Sequence, residues 1–319
     1  MHLIITGGAG FIGSNFIRFI LKKYPNYRLT NIDNLTYAGN LDNLKDVASN
    51  RKYHFFKADI CDEKKIDKLI KGADCLINFA AQTHVDRSIV SSTEFIRTNI
   101  VGTHVLLSLA KKYRIRRFVQ ISTDEVYGSL KKGHASEDFR LYTSSPYSAS
   151  KASADLIALS FFKTFNLPVI ITRSSNNFGP YQFPEKIMPL FITNIIEGKN
   201  VPVYGNGKNI RDWIFVEDNC QAIDLVLHKG KCGEIYNISS GYSIDNLSLA
   251  KLILRHMNAS LKLIRFVKDR PGHDYRYAIN CAKVRRLGFR IRANFLERLR
   301  ETINWYIENR NWWGPLKKS

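Results

Sequence analysis

The sequence has few cysteines, and their positions suggest neither a metal site nor a disulfide framework. Among 319 residues there are five, Cys61, Cys75, Cys220, Cys232 and Cys281. None belongs to a Cys-x-x-Cys pair or lies beside a spaced histidine cluster, which argues against structural zinc and a disulfide-stabilised scaffold. We therefore expect no metal, and we expect a reducing compartment, the cytoplasm, as the location.

Long apolar runs are also missing. No stretch approaches the roughly eighteen consecutive apolar residues that indicate a transmembrane helix, so no membrane association is expected. The first ten residues, MHLIITGGAG, lack a basic segment followed by a long apolar one. They are typical of a buried strand that enters a glycine turn, not of a signal peptide.

Acidic residues are scarce relative to basic ones. The chain has 28 Asp and Glu against 48 Lys and Arg, which gives a net charge of +20. One interpretation is a basic face that binds nucleic acid, and the other is a lysine-rich solvated surface around an anion-binding pocket. No nucleic-acid motif and no stripe of alternating aromatic and basic residues accompanies the charge, so we expect no nucleic-acid partner.

Short apolar runs alternate with longer amphipathic segments through the first 180 residues. The predicted strands are Leu3–Thr6, Leu29–Ile32, Tyr53–Lys57, Cys75–Phe79, Phe118–Ser122 and Val169–Thr172. The helical patterns between them include Ser14–Lys23, Thr93–Tyr113 and Ser150–Phe165. Continuous apolar strands separated by helices predict a parallel sheet covered on both faces, the doubly wound α/β fold of Rossmann type.

The pattern changes after Gly179-Pro180. A helical stretch, Ile187–Glu197, precedes the turn-rich segment Gly198–Gly207, and an amphipathic helix is predicted over Phe295–Asn309. We predict a Rossmann-type domain over residues 1–180 and a smaller α+β lobe over residues 181–319. Some segments of the second part are expected to return to the first domain.

A glycine-rich loop follows the first predicted strand directly. Gly7, Gly10 and Gly13 allow a tight turn, a close approach of pyrophosphate to the backbone, and packing of the next helix on the sheet. Glycine turns are common, but here a helix follows, and Asp33 ends the second strand twenty residues after Gly13. An acid at that spacing suits the adenosine ribose hydroxyls of NAD and repels the 2′-phosphate of NADP. The sequence therefore predicts NAD as the cofactor, against the alternative of a purely structural turn.

Tyr147 and Lys151 lie four residues apart at the start of a predicted helix, and so on one helix face. A nearby ammonium favours phenolate and lowers the pKa of a tyrosine from about 10 towards neutrality. Such a tyrosine can accept a hydroxyl proton while hydride leaves the same carbon. Taken alone, a tyrosine and a lysine at this spacing can also occur by chance on the surface of a helix.

Two adjacent acids, Asp124 and Glu125, follow Thr123 at the carboxyl end of the fifth predicted strand. Chemistry in doubly wound folds is placed at this end of the strands. Two neighbouring carboxyls in a cleft do not both ionise readily, so one can stay protonated near neutral pH. The pair thus supplies the acid and the base that elimination of water requires, although solvated Asp-Glu pairs at strand ends are common.

The glycine loop with Tyr-x-x-x-Lys resembles the extended short-chain dehydrogenase/reductase superfamily, whose members act on nucleotide sugars and in which a Ser or Thr at the position of Thr123 assists the tyrosine. Within it, the run Thr-Asp-Glu-Val-Tyr-Gly resembles the dTDP-glucose 4,6-dehydratase family. Other segments extend this resemblance nearly end to end: Asn40-Leu41, Ala80-Ala81, His84–Ser88, Ser174–Gln182, Pro184–Lys186, Arg211–Trp213, Asp269–His273, Trp305-Tyr306 and Trp312-Trp313.

Other members of the superfamily remain alternatives. UDP-glucose 4-epimerases share the glycine loop and the Tyr-x-x-x-Lys motif but lack the acidic pair, and UDP-glucuronate decarboxylases are closer rivals. A UDP-glucose 4,6-dehydratase is a further alternative. A binding protein that has lost activity belongs to a different class, but an intact set of Thr123, Asp124, Glu125, Tyr147 and Lys151 argues against it.

The resemblance implies two sets of binding residues besides the five catalytic ones. The residues implied for NAD are Gly7, Gly10, Phe11, Ile12, Gly13, Asp33, Asn34, Leu35, Thr36, Asp59, Ile60, Phe79, Ala80, Ala81, Gln82, Thr83, Asn99, Tyr147, Lys151 and Asn177. Those implied for the nucleotide-sugar substrate are His84, Thr123, Asn176, Lys186, Ile187, Pro202, Val203, Tyr204, Arg211, Asn246, Asp269, Arg270, Pro271, Gly272 and His273. Arg211 and Arg270 suit the diphosphate, because guanidinium groups match phosphate oxygens.

The chain departs from the family pattern at two positions. The family usually has Glu where this chain has Gln82, and Arg where this chain has Tyr275. Gln82 removes a charge beside the expected nicotinamide ribose, whereas Tyr275 bears on the identity of the nucleotide sugar. Neither belongs to the catalytic set.

The resemblance also implies a mechanism and an assembly. Tyr147 takes the proton of the sugar 4-hydroxyl, Glu125 removes the carbon-5 hydrogen, and Asp124 protonates the leaving 6-hydroxyl. The family typically forms homodimers through a four-helix bundle. The predicted helices Thr93–Tyr113 and Ser150–Phe165 have enough apolar positions for this role, although burial against their own sheet is the alternative.

Overall fold

The computed structural model describes residues 1–317, so Lys318 and Ser319, which end the predicted second lobe, lie outside the described residues. Its strands are β1 (His2–Thr6), β2 (Arg28–Asp33), β3 (Tyr53–Lys57), β4 (Cys75–Asn78), β5 (Arg117–Thr123), β6 (Val169–Ser174), β7 (Asn176–Phe178), β8 (Val201–Tyr204), β9 (Ile210–Phe215), β10 (Ile235–Ile238), β11 (Tyr242–Asp245) and β12 (Ile264–Val267).

The helices surround these strands. They are α1 (Phe11–Lys23), α2 (Glu63–Ile70), α3 (Val85–Val90), α4 (Thr93–Phe95), α5 (Thr103–Lys112), α6 (Pro146–Phe165), α7 (Ile187–Ile196), α8 (Val216–Lys229), α9 (Asn246–His256), α10 (Ala282–Arg286), α11 (Phe295–Glu308) and α12 (Arg310–Leu316). Short 3-10 helices cover Leu41–Leu44, Asp124–Tyr127 and Leu261–Leu263. In residues 1–317 no helix combines the length and apolarity needed to cross a bilayer.

The central sheet has seven strands in the order β10-β6-β5-β4-β1-β2-β3. Every neighbouring pair in it is parallel. The strand order reverses between β1 and β4, and such a switch point opens a crevice at the carboxyl ends of the strands. The predicted doubly wound fold of Rossmann type is confirmed.

Strand β10 joins this sheet from the segment that the sequence pattern assigns to the second lobe. It pairs with β6 from Ile235↔Ile171 to Ile238↔Ser174. Its four residues are too few for a periodic signal. Strand β8 also has only four residues, and it lies inside the segment Gly198–Gly207, whose composition predicts turns. It was therefore not predicted either.

Three apolar clusters form the core. Helices α1 and α8 cover one face of the central sheet, where Phe16, Ile17 and Ile223 are buried. Helices α2, α5 and α6 cover the other face around Leu106 and Phe118. The third cluster is formed by side chains of the sheet β11-β9-β7, the pair β12-β8 and helices α7, α9 and α11.

The single helix predicted over Thr93–Tyr113 is interrupted in the structure. Residues Ile96–Gly102 between α4 and α5 form a π-helix, a rare conformation found frequently at functional sites. It contains Asn99, which is 1% exposed. The Asn99 amide accepts a hydrogen bond from Gln82 N (2.9 Å) and donates to Gln82 O (3.1 Å) and Ser150 Oγ (2.8 Å). This segment therefore fixes the loop after β4 against α6.

Candidate active site

A cavity of about 320 Å³ lies at the carboxyl ends of the central strands, where the strand order reverses. Most of the predicted cofactor residues line it: Gly7, Gly10, Phe11, Ile12, Gly13, Asp33, Asn34, Thr36, Asp59, Ile60, Phe79, Ala80, Ala81, Gln82, Thr83, Tyr147, Lys151 and Asn177. The other predicted residues in its wall are Thr123, Asp124, Glu125, Asn176 and Lys186.

The glycine loop leaves no room for side chains. Gly7 has φ +70°, and a Cβ on it would lie 2.5 Å from the Ala80 nitrogen. A Cβ on Gly13 would lie 2.4 Å from the Gly7 carbonyl oxygen. No side chain caps α1 at Gly10, and its first turn has no acidic residue. The first-turn N–H groups and the positive end of the helix dipole are thus available to a diphosphate, and this part of the wall fits a dinucleotide.

Asp33 is fixed at the end of β2 by backbone donors. Its carboxylate accepts hydrogen bonds from Ala9 N (2.9 Å) and Leu35 N (2.8 Å). Burial raises its pKa, and the two hydrogen bonds oppose that change. The carboxylate therefore has a defined orientation in the wall of the cavity, where hydroxyl groups of a ribose could donate to it.

Tyr147 and Lys151 lie in the first two turns of α6, which begins with a capping box between Ser145 and Ser148. The Lys151 ammonium donates to the Ile121 carbonyl at 2.6 Å, and burial lowers its pKa to about 8. Burial, followed by the charge of Glu125, raises the pKa of Tyr147 well above its usual value. The expected lowering of the Tyr147 pKa by Lys151 is wrong for this arrangement, because the ammonium points to a carbonyl of β5 and burial dominates.

Asp124 and Glu125 are adjacent in sequence but have different surroundings. Asp124 is 2% exposed, and its Oδ2 atom has no hydrogen-bond partner in residues 1–317. Burial and the charge of Glu125 raise the pKa of Asp124 well above its usual value. Burial also raises the pKa of Glu125, but three cations oppose that change, Arg270, Arg211 and Lys186. The pKa of Asp124 is thus raised further than that of Glu125, so Asp124 is the carboxyl of the pair that keeps its proton more readily.

The predicted substrate residues contribute mainly positive charge and shape. The Lys186 ammonium donates to the Thr83 carbonyl at 3.1 Å, and burial lowers its pKa. Arg211 is 5% exposed and donates to the Asp274 carbonyl at 2.9 Å. Arg270 lies 3.3 Å from an oxygen of Asp86. These cations are on different elements, and folding places all of them close enough to act on Glu125.

Two histidines belong to the same region. Burial and the charge of Lys186 lower the pKa of His84 to about 4, so its ring is neutral near pH 7 even though Nε2 lies 3.5 Å from Glu185. His273 Nδ1 is 2.6 Å from Asp269, and its ring packs edge-on against Tyr204. Neutral imidazoles can accept or donate hydrogen bonds to sugar and phosphate oxygens.

Several predicted binding residues lie outside the cavity wall. These are the cofactor residues Leu35 and Asn99 and the substrate residues His84, Ile187, Pro202, Val203, Tyr204, Arg211, Asn246, Asp269, Arg270, Pro271, Gly272 and His273. Val203 is 1% exposed and packs in the third apolar cluster. The Asn99 side chain holds the backbone of Gln82, and Gln82 lines the cavity.

Sequence reasoning missed three polar residues of this region, Glu185, Asp274 and Tyr277. Glu185 lines the cavity and lies 3.1 Å from Arg87. The Tyr277 hydroxyl lies 2.6 Å from Asp274 Oδ2 and 3.4 Å from Glu125 Oε2. Glu185 and Asp274 are sequence neighbours of Lys186 and His273, which the resemblance implies for substrate binding. No local sequence pattern identifies Tyr277 as a site residue.

Comparisons with known proteins agree with this geometry. The family model described as GDP-mannose 4,6 dehydratase matches residues 4–302. A dTDP-glucose 4,6-dehydratase of Streptomyces niveus is 49% identical over 99% of this chain and 96% of its own length. The crystal structure of a dTDP-glucose 4,6-dehydratase from Streptomyces venezuelae, with NAD and TYD bound, matches with a TM-score of 0.97 at 44% identity, over 99% of this chain and 100% of that one.

Epimerases share the fold at lower identity. A UDP-glucose 4-epimerase of Thermotoga maritima matches with a TM-score of 0.90 at 27% identity, over 97% of this chain and 99% of that one. The fold is thus common to both activities, whereas sequence identity is much higher with the dehydratases. The chain belongs to the family that the GDP-mannose 4,6 dehydratase model describes and, within it, to the dTDP-glucose 4,6-dehydratases.

Proposed function

We propose that this protein is an NAD-dependent lyase that converts dTDP-glucose to dTDP-4-keto-6-deoxyglucose. The observation that carries the proposal is the pair of buried Asp124 and partly buried Glu125, whose surroundings raise the pKa of Asp124 further than that of Glu125, beside Tyr147 in a cavity that fits a dinucleotide. An epimerase needs no such pair, because it removes no water.

The cofactor site consists of the glycine loop, the start of α1 and Asp33. The N–H groups of the helix start would hold the diphosphate, and the Asp33 carboxylate would accept hydrogen bonds from the adenosine ribose. When bound, NAD accepts a hydride from carbon 4 of the sugar and returns it to carbon 6.

Three side chains move the protons. Tyr147 takes the proton of the 4-hydroxyl, assisted by Thr123, while Lys151 holds positive charge one turn away. Burial raises the Tyr147 pKa, and the positive charge that the nicotinamide of NAD would supply when bound would favour the phenolate. The new ketone acidifies the hydrogen on carbon 5, which Glu125 removes. Asp124 then donates its proton to the 6-hydroxyl, and this group leaves as water.

The cycle closes without net oxidation. Hydride returns to carbon 6, Glu125 gives a proton back to carbon 5, and Tyr147 must lose its proton before the next turnover. Asp124 has lost one proton to the departing water and regains one from solvent. The net change is loss of water from the sugar.

We further propose a homodimer in which α5 and α6 of two chains form a four-helix bundle, in the cytoplasm. Large apolar side chains are exposed on α6, Leu156 58% and Phe165 45%, and on the π-helix that precedes α5, Ile96 50% and Val101 46%. Exposed apolar side chains of this kind support an interface. All five cysteines are free, which agrees with a reducing compartment.

Asp33 should make NAD the preferred cofactor. Its fixed carboxylate pairs with ribose hydroxyls and repels a 2′-phosphate, so we expect NADP to bind at least about tenfold more weakly in a fluorescence titration. In Asp33→Asn the difference should shrink, whereas Asp42→Asn, which removes an exposed acid from the same region, should leave it unchanged. Equal affinities in the unmodified protein would contradict the assignment.

Tyr147→Phe should abolish oxidation at carbon 4 but leave substrate and cofactor binding largely intact. A positioned base contributes about 10²–10⁴-fold, so turnover should fall to about one hundredth or less. Binding is checked by calorimetry and turnover by product formation. Tyr113→Phe removes a hydroxyl that bonds Asp67 far from the cavity and serves as the control. Substantial turnover in Tyr147→Phe would exclude this residue as the base.

Asp124→Asn and Glu125→Gln should block different half-steps of the elimination. Asp124→Asn removes the donor for the 6-hydroxyl but permits the first hydride transfer, so the absorbance of reduced nicotinamide should rise and persist. Glu125→Gln should stop exchange of the carbon-5 hydrogen with heavy water. Normal turnover of dTDP-glucose by both variants would make the acidic pair structural.

Leu156→Glu should convert the dimer to a monomer, because it places a charge in the centre of an apolar interface. Light scattering coupled to size exclusion gives the mass. Ile307→Glu, at a residue of α11 that is 45% exposed, is the matched control and should stay dimeric. If Leu156→Glu and the unmodified protein have the same mass, the interface lies elsewhere or does not form.

A further inference from the structure

Two buried ionisable side chains near the catalytic pair have no part in the mechanism above. Asp274 is 7% exposed and Tyr277 is 3% exposed, both in the segment between β12 and α10. The Tyr277 hydroxyl lies 2.6 Å from Asp274 Oδ2, and the guanidinium of Arg211 lies over the Tyr277 ring at 4.3 Å. Buried polar groups of this kind are held in place by their partners, so their geometry is fixed.

The chain of contacts continues in both directions. On one side the Tyr277 hydroxyl is 3.4 Å from Glu125 Oε2. On the other, the Ser144 hydroxyl donates a short hydrogen bond to the same Asp274 oxygen. Ser144 is exposed to solvent. A continuous line of proton-carrying groups thus runs from Glu125 through Tyr277 and Asp274 to the surface at Ser144.

In the proposed reaction, this line of groups would carry a proton between Glu125 and solvent. Glu125 faces the cavity, and a bound sugar whose carbon 5 contacts the carboxylate excludes water from that side. Without another exit, a proton taken from carbon 5 would stay on Glu125 and return to the same carbon. The line through Tyr277 is the exit that the described residues provide.

We propose that Tyr277, Asp274 and Ser144 form a relay through which the proton on Glu125 exchanges with solvent during the catalytic cycle. The proposal rests on the proposed dehydratase function. Tyr277 and Asp274 act through Glu125 and are positioning and relay residues, since neither contacts the reacting carbon.

The proton movements balance. Protonated Glu125 donates to the Tyr277 oxygen while the Tyr277 hydrogen passes to Asp274 Oδ2. Asp274 then transfers a proton to water through Ser144. Tyr277 and Asp274 end as they began, Glu125 has lost one proton, and solvent has gained it. The reverse sequence delivers a solvent proton to Glu125 for return to carbon 5.

The test follows an isotope at carbon 5. The intact enzyme is given dTDP-glucose carrying deuterium at carbon 5, in ordinary water, and carbon 5 of the product is analysed by NMR. We expect the unmodified protein to give product with protium at this carbon. Tyr277→Phe and Asp274→Asn should retain deuterium in most product molecules. Because the ratio is measured on the product formed, a lower active fraction does not change it.

A matched control and an internal reference separate a relay from general damage. Tyr113→Phe removes a tyrosine hydroxyl that bonds Asp67 far from the cavity, and this variant should lose deuterium as the unmodified protein does. With substrate labelled at carbon 4 instead, the label should reach carbon 6 in every variant. Ser144→Val, at the exposed end, should also retain deuterium, and it decides the test if neither buried variant forms product.

The outcomes distinguish the two proposals. If the unmodified protein forms no 4-keto-6-deoxy product, the proposed function fails. If it forms product that keeps the carbon-5 label, or if Tyr277→Phe, or Ser144→Val in its place, washes out the label as well as the unmodified protein does, the relay is overturned.

Discussion

Asp155 and Arg173 form an ion pair at 2.9 Å in the interior, with side chains 0% and 2% exposed, and the placement of the catalytic groups depends on it. Asp155 lies one turn after Lys151 on α6, and Arg173 is in β6. The same Asp155 oxygen accepts a hydrogen bond from Ser122 of β5 at 3.0 Å. Removing one partner would leave an unpaired buried charge, at a cost of about 3–5 kcal/mol. The pair fixes the catalytic helix on the two strands that it crosses.

That attachment extends to the groups that react. Lys151 donates to the Ile121 carbonyl of β5, so the helix and the strand are joined twice within about one turn. Tyr147 is thereby fixed beside Thr123 at the end of β5, and Asp124 and Glu125 follow in the next two positions. Burial in this pocket raises the pKa of both carboxyls, and the cations Arg270, Arg211 and Lys186 act mainly on Glu125. One rigid junction and an unequal distribution of charge thus give two adjacent carboxyls different surroundings, as their proposed roles of acid and base require.

The features that could be predicted from the sequence are those with local signals. Six strands of the sheet, the glycine loop and Asp33 follow from apolar periodicity and from the spacing of the glycines. Asp124 and Glu125 could be identified because they follow a strand whose carboxyl end faces the crevice. A single chain segment carries each of these signals.

The missed features arise from contacts between distant segments. Tyr277 meets Glu125 across about 150 residues, so no window of sequence contains both. Strand β10 joins the sheet through pairing with β6, and its four residues have no period of their own. The raised pKa of Tyr147 follows from burial, which the Tyr-x-x-x-Lys spacing does not report. Tertiary packing thus decides the electrostatics of residues that local sequence identifies.

The central claim is that one site oxidises carbon 4, removes water across carbons 5 and 6, and returns the same hydride. The most direct measurement incubates the protein and NAD with dTDP-glucose carrying deuterium at carbon 4, with UDP-glucose in parallel, and analyses the products by mass spectrometry and NMR. The account predicts a 4-keto-6-deoxy product from dTDP-glucose with the deuterium at carbon 6. Recovery of a 4-epimer that keeps deuterium at carbon 4, or of no 4-keto product, would contradict it.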